Sequence, residues 1–226
     1  MFNEQKFLAI ETSSDVCSVA LSDGESILER FCDTPREQGS TLLPFIDELL
    51  REANFSLTQL DAIAVSSGPG SFVGLRLAAG VAQGLAFAAD LPIIPISSLA
   101  VLAQGVFRLQ GHTQVLIVVN AFMKEVYWSA QELDQQNKIM NAVLPDQLSL
   151  PNKIINPFKD CVGVGSGFSV YQTELIELGV MPKKVYEHNK PYASDVISLA
   201  KASSVRIAAQ TFSPTYLRTQ SAWHAQ

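Results

Sequence analysis

The sequence predicts a two-lobed α/β fold built from two successive units of element order βββαβαβα. Three observations carry that expectation. Short apolar runs of strand length alternate with longer stretches whose apolar residues recur every three or four positions, the period of a helix packed on a sheet. Glycine-rich segments fall where strands pass into helices, at residues 68–74 and 163–167. The chain has 226 residues, 47% hydrophobic and 17% charged, enough to bury a sizeable core in one large or two small domains.

Taken in order, residues 7–10 form a compact apolar run suited to a buried strand, and 16–21 alternate, with Cys17, Val19 and Leu21 on one face. Asp23-Gly24 supplies the positive φ of a tight hairpin turn, so 26–32 returns as the third strand. Leu42, Leu43, Ile46, Leu49, Leu50 and Ala53 then recur at helical spacing and build one apolar stripe. Ser40 or Thr41 is expected to cap this helix, because Pro44 is tolerated only in a first turn. Residues 62–65 read as a strand, 72–89 as a helix, 93–96 as a strand and 98–106 as a helix.

The second half repeats the order. Residues 115–119 and 126–132 are strong strands, 138–143 a weaker one, and a short helix is expected near 146–150. Residues 161–164 form a strand that opens into Gly163-Val-Gly165-Ser-Gly167, followed by a helix over 169–178. A strand at 184–186 and an amphipathic helix over 194–209, capped by Ser194, complete the chain. Such a pair of units is a duplicated ribonuclease-H-like architecture, although no repeat is visible residue by residue. The N-terminal lobe is expected at 1–106 and the C-terminal lobe at 107–226, with the last helix free to pack back on the N-terminal lobe. The cleft between two such lobes is the expected place for a ligand.

Composition narrows the function classes. Sixteen Lys and Arg against 22 Asp and Glu leave a charge of −6, which argues against this chain alone gripping a polyphosphate backbone. Cys17, Cys32 and Cys161 are odd in number and widely spaced, so neither a disulfide framework nor a structural zinc site is expected and a reducing compartment fits better. The N-terminus shows no basic segment followed by an apolar stretch, so no secretory signal is expected. The longest apolar stretch, 81–96, is interrupted by Gln83, Asp90 and two prolines, so no membrane span is expected and the protein reads as cytoplasmic.

The most informative stretch is Ser66-Ser67-Gly68-Pro69-Gly70-Ser71-Phe72-Val73-Gly74-Leu75-Arg76. It lies at a strand–helix junction, where an anion could sit, but it lacks a Gly-Lys-Ser/Thr ending, and Gly74 comes one residue late for GxGxxG. A tight turn with Ser71 as N-cap is the plainer reading, with Arg76 placed to lock the loop or reach a partner. In the helix that follows, Gly80, Gly84 and Ala88 form a smooth row at steps of four. Each interior glycine costs about 0.5–1 kcal/mol relative to alanine, a cost that close backbone approach would offset. Whether the approaching helix belongs to this chain or to a partner stays open. Gly163, Gly165 and Gly167 form a turn that, in a two-lobed nucleotide fold, would let an adenine approach the backbone. Glu11 ends the first strand, where an ATPase of this architecture keeps an acidic residue, but one carboxylate does not make a magnesium site. His112, His188 and His224 are scattered, and no GxSxG elbow or HExxH pair is present. No catalytic or metal-ligating residue is expected.

These residues resemble a known family. Leu8-Ala-Ile-Glu-Thr-Ser-Ser-Asp-Val-Cys-Ser-Val-Ala-Leu21 and Asp61-Ala-Ile-Ala-Val-Ser-Ser-Gly-Pro-Gly-Ser-Phe-Val-Gly-Leu-Arg76 are similar to the opening and the strand–loop–helix of the TsaB (formerly YeaZ) family. Pro92-Ile-Ile-Pro-Ile-Ser-Ser-Leu99, Lys124-Glu-Val-Tyr-Trp128 and Pro214-Thr-Tyr-Leu-Arg218 extend the match over nearly the whole chain. The resemblance implies an actin-like, sugar-kinase-like ATPase fold and a part in making N6-threonylcarbamoyladenosine in tRNAs that read codons beginning with A. In that pathway a TsaC-type synthase makes threonylcarbamoyl-AMP, and TsaD transfers the threonylcarbamoyl group to the adenosine 3′ of the anticodon. Proteins of this family are implied to be noncatalytic partners of TsaD, joined by a TsaE-type ATPase, with ATP used by the complex and no cofactor of their own. The resemblance also implies homodimers in isolation and little direct tRNA contact.

By this resemblance the partner surface comprises Leu42, Ile46 and Leu49 of the first helix and Gly74, Arg76 and Leu77 at the start of the second. Gly80, Val81 and Gly84 continue it. Family members often carry Asp at Glu11, His within the stretch holding Gln38 and Gly39, and Asp-Ala-Arg where Asn120-Ala-Phe stands. The histidine pair that binds metal in TsaD is absent. Two other readings compete: a nucleotide-binding or glycoprotease-like enzyme of the same fold, which needs a base or metal near Glu11, and a small-molecule sensor using the turn around Gly163, Gly165 and Gly167.

Overall fold

The structure, a computed structural model, describes residues 5–34 and 36–218. Pro35 and His224 lie outside the described residues. The chain forms two compact units, one of residues 1–101 and 190–214, the other of residues 102–189 and 215–226.

In the first unit a five-stranded sheet has the order β3-β2-β1-β4-β5. Its strands are β1 (Phe7–Glu11), β2 (Cys17–Ser22), β3 (Ile27–Cys32), β4 (Ala62–Gly68) and β5 (Ile93–Ser97). The first three are antiparallel, and β4 and then β5 add in parallel beside β1. Gly24, in the β2–β3 turn, has φ of +105°, as the Asp-Gly signal requires. Leu8, Ile10, Cys17, Val19 and Leu21 share a core with α1 (Gln38–Glu52) and α2 (Phe72–Ala89). The helix α6 (Ala193–Ala202) packs on β1 and β2, where the Ser18 hydroxyl and the Glu29 carboxylate accept the N–H groups of Ala193 and Ser194 at 2.9 and 3.0 Å.

Three local expectations are corrected here. α1 starts earlier than its serine and threonine suggest: Glu37 is the N-cap, and Ser40 and Thr41 donate their hydroxyls back to its carbonyl at 2.9 and 2.8 Å. Pro44 therefore sits inside the helix, on its exposed side. α6 is shorter than 194–209 and is capped by Tyr192 without a side-chain bond, because Ser18 and Glu29 of the sheet already serve its first N–H groups. It stops at Ala202 because Ile207 exchanges both backbone hydrogen bonds with Ile93 on the edge of β5.

The second unit repeats the topology. Its sheet order is β10-β9-β6-β7-β8, from β6 (Gln114–Asn120), β7 (Val126–Asp134), β8 (Ile139–Ser149), β9 (Val162–Val164) and β10 (Val185–Tyr186). Three antiparallel strands are again followed by two parallel ones added beside the first. The duplicated, ribonuclease-H-like α/β fold is thus present in strand order. The unit boundary falls inside α3 (Ser98–Gln110). The helix expected near 146–150 is strand: β8 pairs with the long β7 as far as Ser149, whose hydroxyl accepts the Trp128 indole N–H at 2.9 Å. The single helix expected over 169–178 is two pieces, α4 (Gly167–Val170) and α5 (Gln172–Glu177), interrupted at Tyr171, whose hydroxyl reaches Asn120 Oδ1 at 3.3 Å.

Candidate functional site

The glycine-rich turn ahead of α2 is built against the β1–β2 loop. Ser71 donates its N–H to the Ser13 carbonyl at 2.7 Å, and its hydroxyl accepts the Gly74 N–H at 3.3 Å, the expected N-cap. The buried Thr12 hydroxyl donates to the Gly74 carbonyl at 2.7 Å. A Cβ at Gly70 would lie 2.3 Å from the Ser13 carbonyl oxygen, and one at Gly74 1.9 Å from that of Thr12. These glycines exist so that two backbones can touch, and the turn offers its space to its own chain rather than to an anion.

Gly80 and Gly84 differ in kind. Both are exposed, and a Cβ at either position would meet nothing within 4 Å. No helix of the described chain approaches them, which removes the intramolecular explanation of the row. Around them lie half-buried Leu77, Val81 and Leu85, with Val73 at 72% and Phe87 at 67% exposure. Arg76 is exposed at the start of this face and stacks its guanidinium on the Phe72 ring at 3.5 Å. α2 is therefore apolar on both sides: Leu75, Ala78, Ala82 and Ala86 fill the core, and a second stripe faces outward. By length and composition alone α2 could cross a membrane, a test that core helices also pass.

Four of the residues expected on a partner surface lie elsewhere. Leu42, Ile46 and Leu49 are buried in the core of the first unit, and Gly74 is buried against Thr12. The apolar stripe of α1 is the face it turns to the sheet. Phe72, Val73, Leu85 and Phe87 were not among the expected residues, yet they extend the exposed stripe of α2. The signal for them was available: a helix apolar on all sides has more than one face to cover.

Glu11 is fully buried at the end of β1. Its Oε1 accepts the Ser13 N–H at 2.5 Å, while Oε2 has no hydrogen-bond partner. Burial pushes its carboxyl above the usual carboxylate range; the hydrogen bond from Ser13 opposes this, and the buried carboxyl of Asp195 adds to it. A fully enclosed carboxyl with one oxygen already taken by the Ser13 N–H does not fit the ligand of a divalent cation. Among the described residues no three His, Cys, Asp or Glu side chains are grouped to hold a metal. Gly163, Gly165 and Gly167 are likewise used internally. A Cβ at Gly163 would sit 2.8 Å from the Phe168 ring, one at Gly165 (φ +113°) 2.5 Å from the Val118 carbonyl oxygen, and one at Gly167 2.6 Å from the Val118 side chain. Burial raises the thiol pKa of both Cys17 and Cys161, so neither is a ready nucleophile.

Among known proteins, the family of TsaD, described as tRNA N6-adenosine threonylcarbamoyltransferase, matches residues 34–225. The chain is 34% identical over 225 residues to the tRNA threonylcarbamoyladenosine biosynthesis protein TsaB of Escherichia coli K12, covering 96% of each. It is 34% identical over 227 residues to the TsaB of Haemophilus influenzae, covering 96% of this chain and 94% of that one. Its fold is similar to the crystal structure of a Pseudomonas aeruginosa protein described as uncharacterized, with similarity to peptidase YEAZ. The TM-score is 0.86 at 36% identity, over 95% of this chain and 100% of that one.

Proposed function

The chain belongs to the TsaB (YeaZ) family, and from that premise we propose that it is the noncatalytic subunit that binds and stabilises a TsaD-type transferase. Its part in N6-threonylcarbamoyladenosine biosynthesis follows from the family. The observation that carries the finer reading is the outer face of α2: two glycines open to solvent inside a helix, bordered by exposed Val73 and Phe87. Interior helix glycines cost about 1 kcal/mol each, and here nothing in the described chain offsets that cost. A second helix laid along the row would bring its backbone close and cover the flanking side chains. The transferase is the occupant in the working complex; in isolation a second copy takes the same face.

The full burial of Glu11 supports a subunit without chemistry of its own, as does the filling of the 163–167 turn by β6 and Phe168. ATP would be used by the assembled complex, with a TsaE-type ATPase recruited to it and a TsaC-type synthase supplying the activated threonylcarbamoyl group. The acidic net charge of −6 fits a cytoplasmic subunit that leaves most of the tRNA contact to its partners. Reconstitution of the modified nucleoside tests the whole reading. Omitting this chain should abolish multiple-turnover modification while leaving threonylcarbamoyl-AMP formation intact. Full modification without it, or ATP hydrolysis by the isolated chain that Glu11→Ala removes, would replace the subunit with the enzyme reading.

A further inference from the structure

The second unit holds a cleft that shares no residue with α1 or α2. It occupies about 360 Å³ at the amino ends of β6 and β9, beside the segment leading into β10. This is the opposite end of β9 from the glycine-rich turn that follows Val164. Lys183, Lys184 and His112 line it, with Asp160 as its one carboxylate. In a chain of net charge −6, two lysines against one carboxylate are a local surplus of positive charge rather than a consequence of composition.

The construction is ordered. The His112 Nε2 and the Tyr186 hydroxyl lie 2.8 Å apart, and the same hydroxyl reaches Gln110 Oε1 at 3.5 Å. The Lys184 ammonium sits 4.7 Å from the centroid of the Tyr186 ring, and its backbone carbonyl accepts the Gly163 N–H at 2.9 Å. Tyr186 thus holds both the imidazole and one ammonium at the rim. Cys161, also on the wall, hydrogen-bonds Asn156 and is kept neutral by burial, so the cleft binds rather than reacts.

We propose that this cleft is a phosphate-binding site. Two lysines among the lining residues carry point charges suited to the several oxygens of a phosphate, whereas a lone carboxylate is better met by the planar fork of arginine, which does not line the cleft. The volume is at the lower end of small-molecule sites, enough for a polyphosphate compound or for successive phosphates of an RNA backbone.

Titration of the full chain with tripolyphosphate tests the site. Binding should be saturable, and Lys183→Gln/Lys184→Gln should weaken it about tenfold or more, with thermal unfolding unchanged. The control pair Lys138→Gln/Lys153→Gln, in the same unit but outside the cleft, should leave affinity as it was. Non-saturable binding, or equal weakening by both pairs, would overturn the proposal by reducing it to diffuse attraction. A tRNA anticodon stem–loop added as competitor separates the sources. Displacement of tripolyphosphate through Lys183 and Lys184 assigns the RNA backbone, and retained binding in its presence assigns a free phosphate compound.

Discussion

The two units share one strand order and spend their crossover segments differently. In the first, β3 is followed by the 15-residue α1 and β4 by the 18-residue α2. In the second, the corresponding connections hold a short 3₁₀ turn at Pro151–Lys153 and the fragments α4 and α5 of four and six residues. Gly163, Gly165 and Gly167 are filled by their own chain, as Gly70 and Gly74 are in the first unit, whereas Gly80 and Gly84 of α2 open to solvent. The same topology therefore serves, in the first unit, to raise a long helix with a second apolar face, and in the second to close a turn tightly on β6.

The sharpest break in that comparison is a methyl group added to a filled glycine. Gly74→Ala puts a carbon into the Thr12 carbonyl, and Gly165→Ala meets the Val118 carbonyl with the backbone at φ +113°. Both collisions are with buried backbone, that of the loop after β1 at Thr12 and that of β6 at Val118. Each substitution should lower unfolding free energy by about 3 kcal/mol, measured by denaturant titration. A loss near zero in either would mean that the contact there is looser than the structure shows.

The open glycines should behave in the opposite sense. Gly80→Ala or Gly84→Ala should raise stability by about 0.5–1 kcal/mol, because a helix interior prefers alanine and no atom stands in the way. Gly80→Leu or Gly84→Leu should leave the fold intact and abolish co-purification with the TsaD-type transferase. Retention of the complex by both leucine variants would place the interface on another surface.

Glu11 gives a pH test in the first unit. The unfolded chain releases this proton near the ordinary carboxylate value, about 4.3, whereas the buried group holds it to higher pH. Stability supplied by the neutral acid is fully present below the ordinary value and is lost as pH rises through the folded value. Glu11→Gln keeps the shape without the proton, so its stability should decline less between acid and neutral pH. Nucleoside formation by the reconstituted complex should persist. Loss of modification with a folded variant would return a catalytic role to Glu11.

Much of the fold was legible because its signals are local. The bounds of α2 follow from Ser71 at one end and from Asp90, a left-handed cap, at the other. The helix expected near 146–150 failed because pairing with β7, a partner distant in sequence, decides that segment. The site was legible only in part. An apolar stripe announces that something covers it and is silent on what, so Leu42, Ile46 and Leu49 read as partner surface when the sheet was their cover. Gly80 and Gly84 were read correctly as a row, but only coordinates show that the row is open. His112 and Lys183 are brought to one cleft by the pairing of β6, β9 and β10, which no spacing reveals.

The smallest difference between the units lies in two serines with the same position and different duties. Ser71 and Ser166 are each the N-cap of the helix that follows a glycine-rich turn, yet only Ser71 accepts a helix N–H. The Ser166 hydroxyl instead accepts the Asn120 N–H at 3.2 Å and ties the turn to the end of β6. Ser71→Ala should therefore cost about 1 kcal/mol and Ser71→Gly only a few tenths, the signature of a cap, since glycine is itself tolerated at that position. At Ser166 alanine and glycine should not separate in that way, because the lost bond belongs to a strand end and not to a helix start. Thermal unfolding of the four variants decides it, and a cap-like gap at Ser166 would mean that α4, short as it is, depends on the same device as α2.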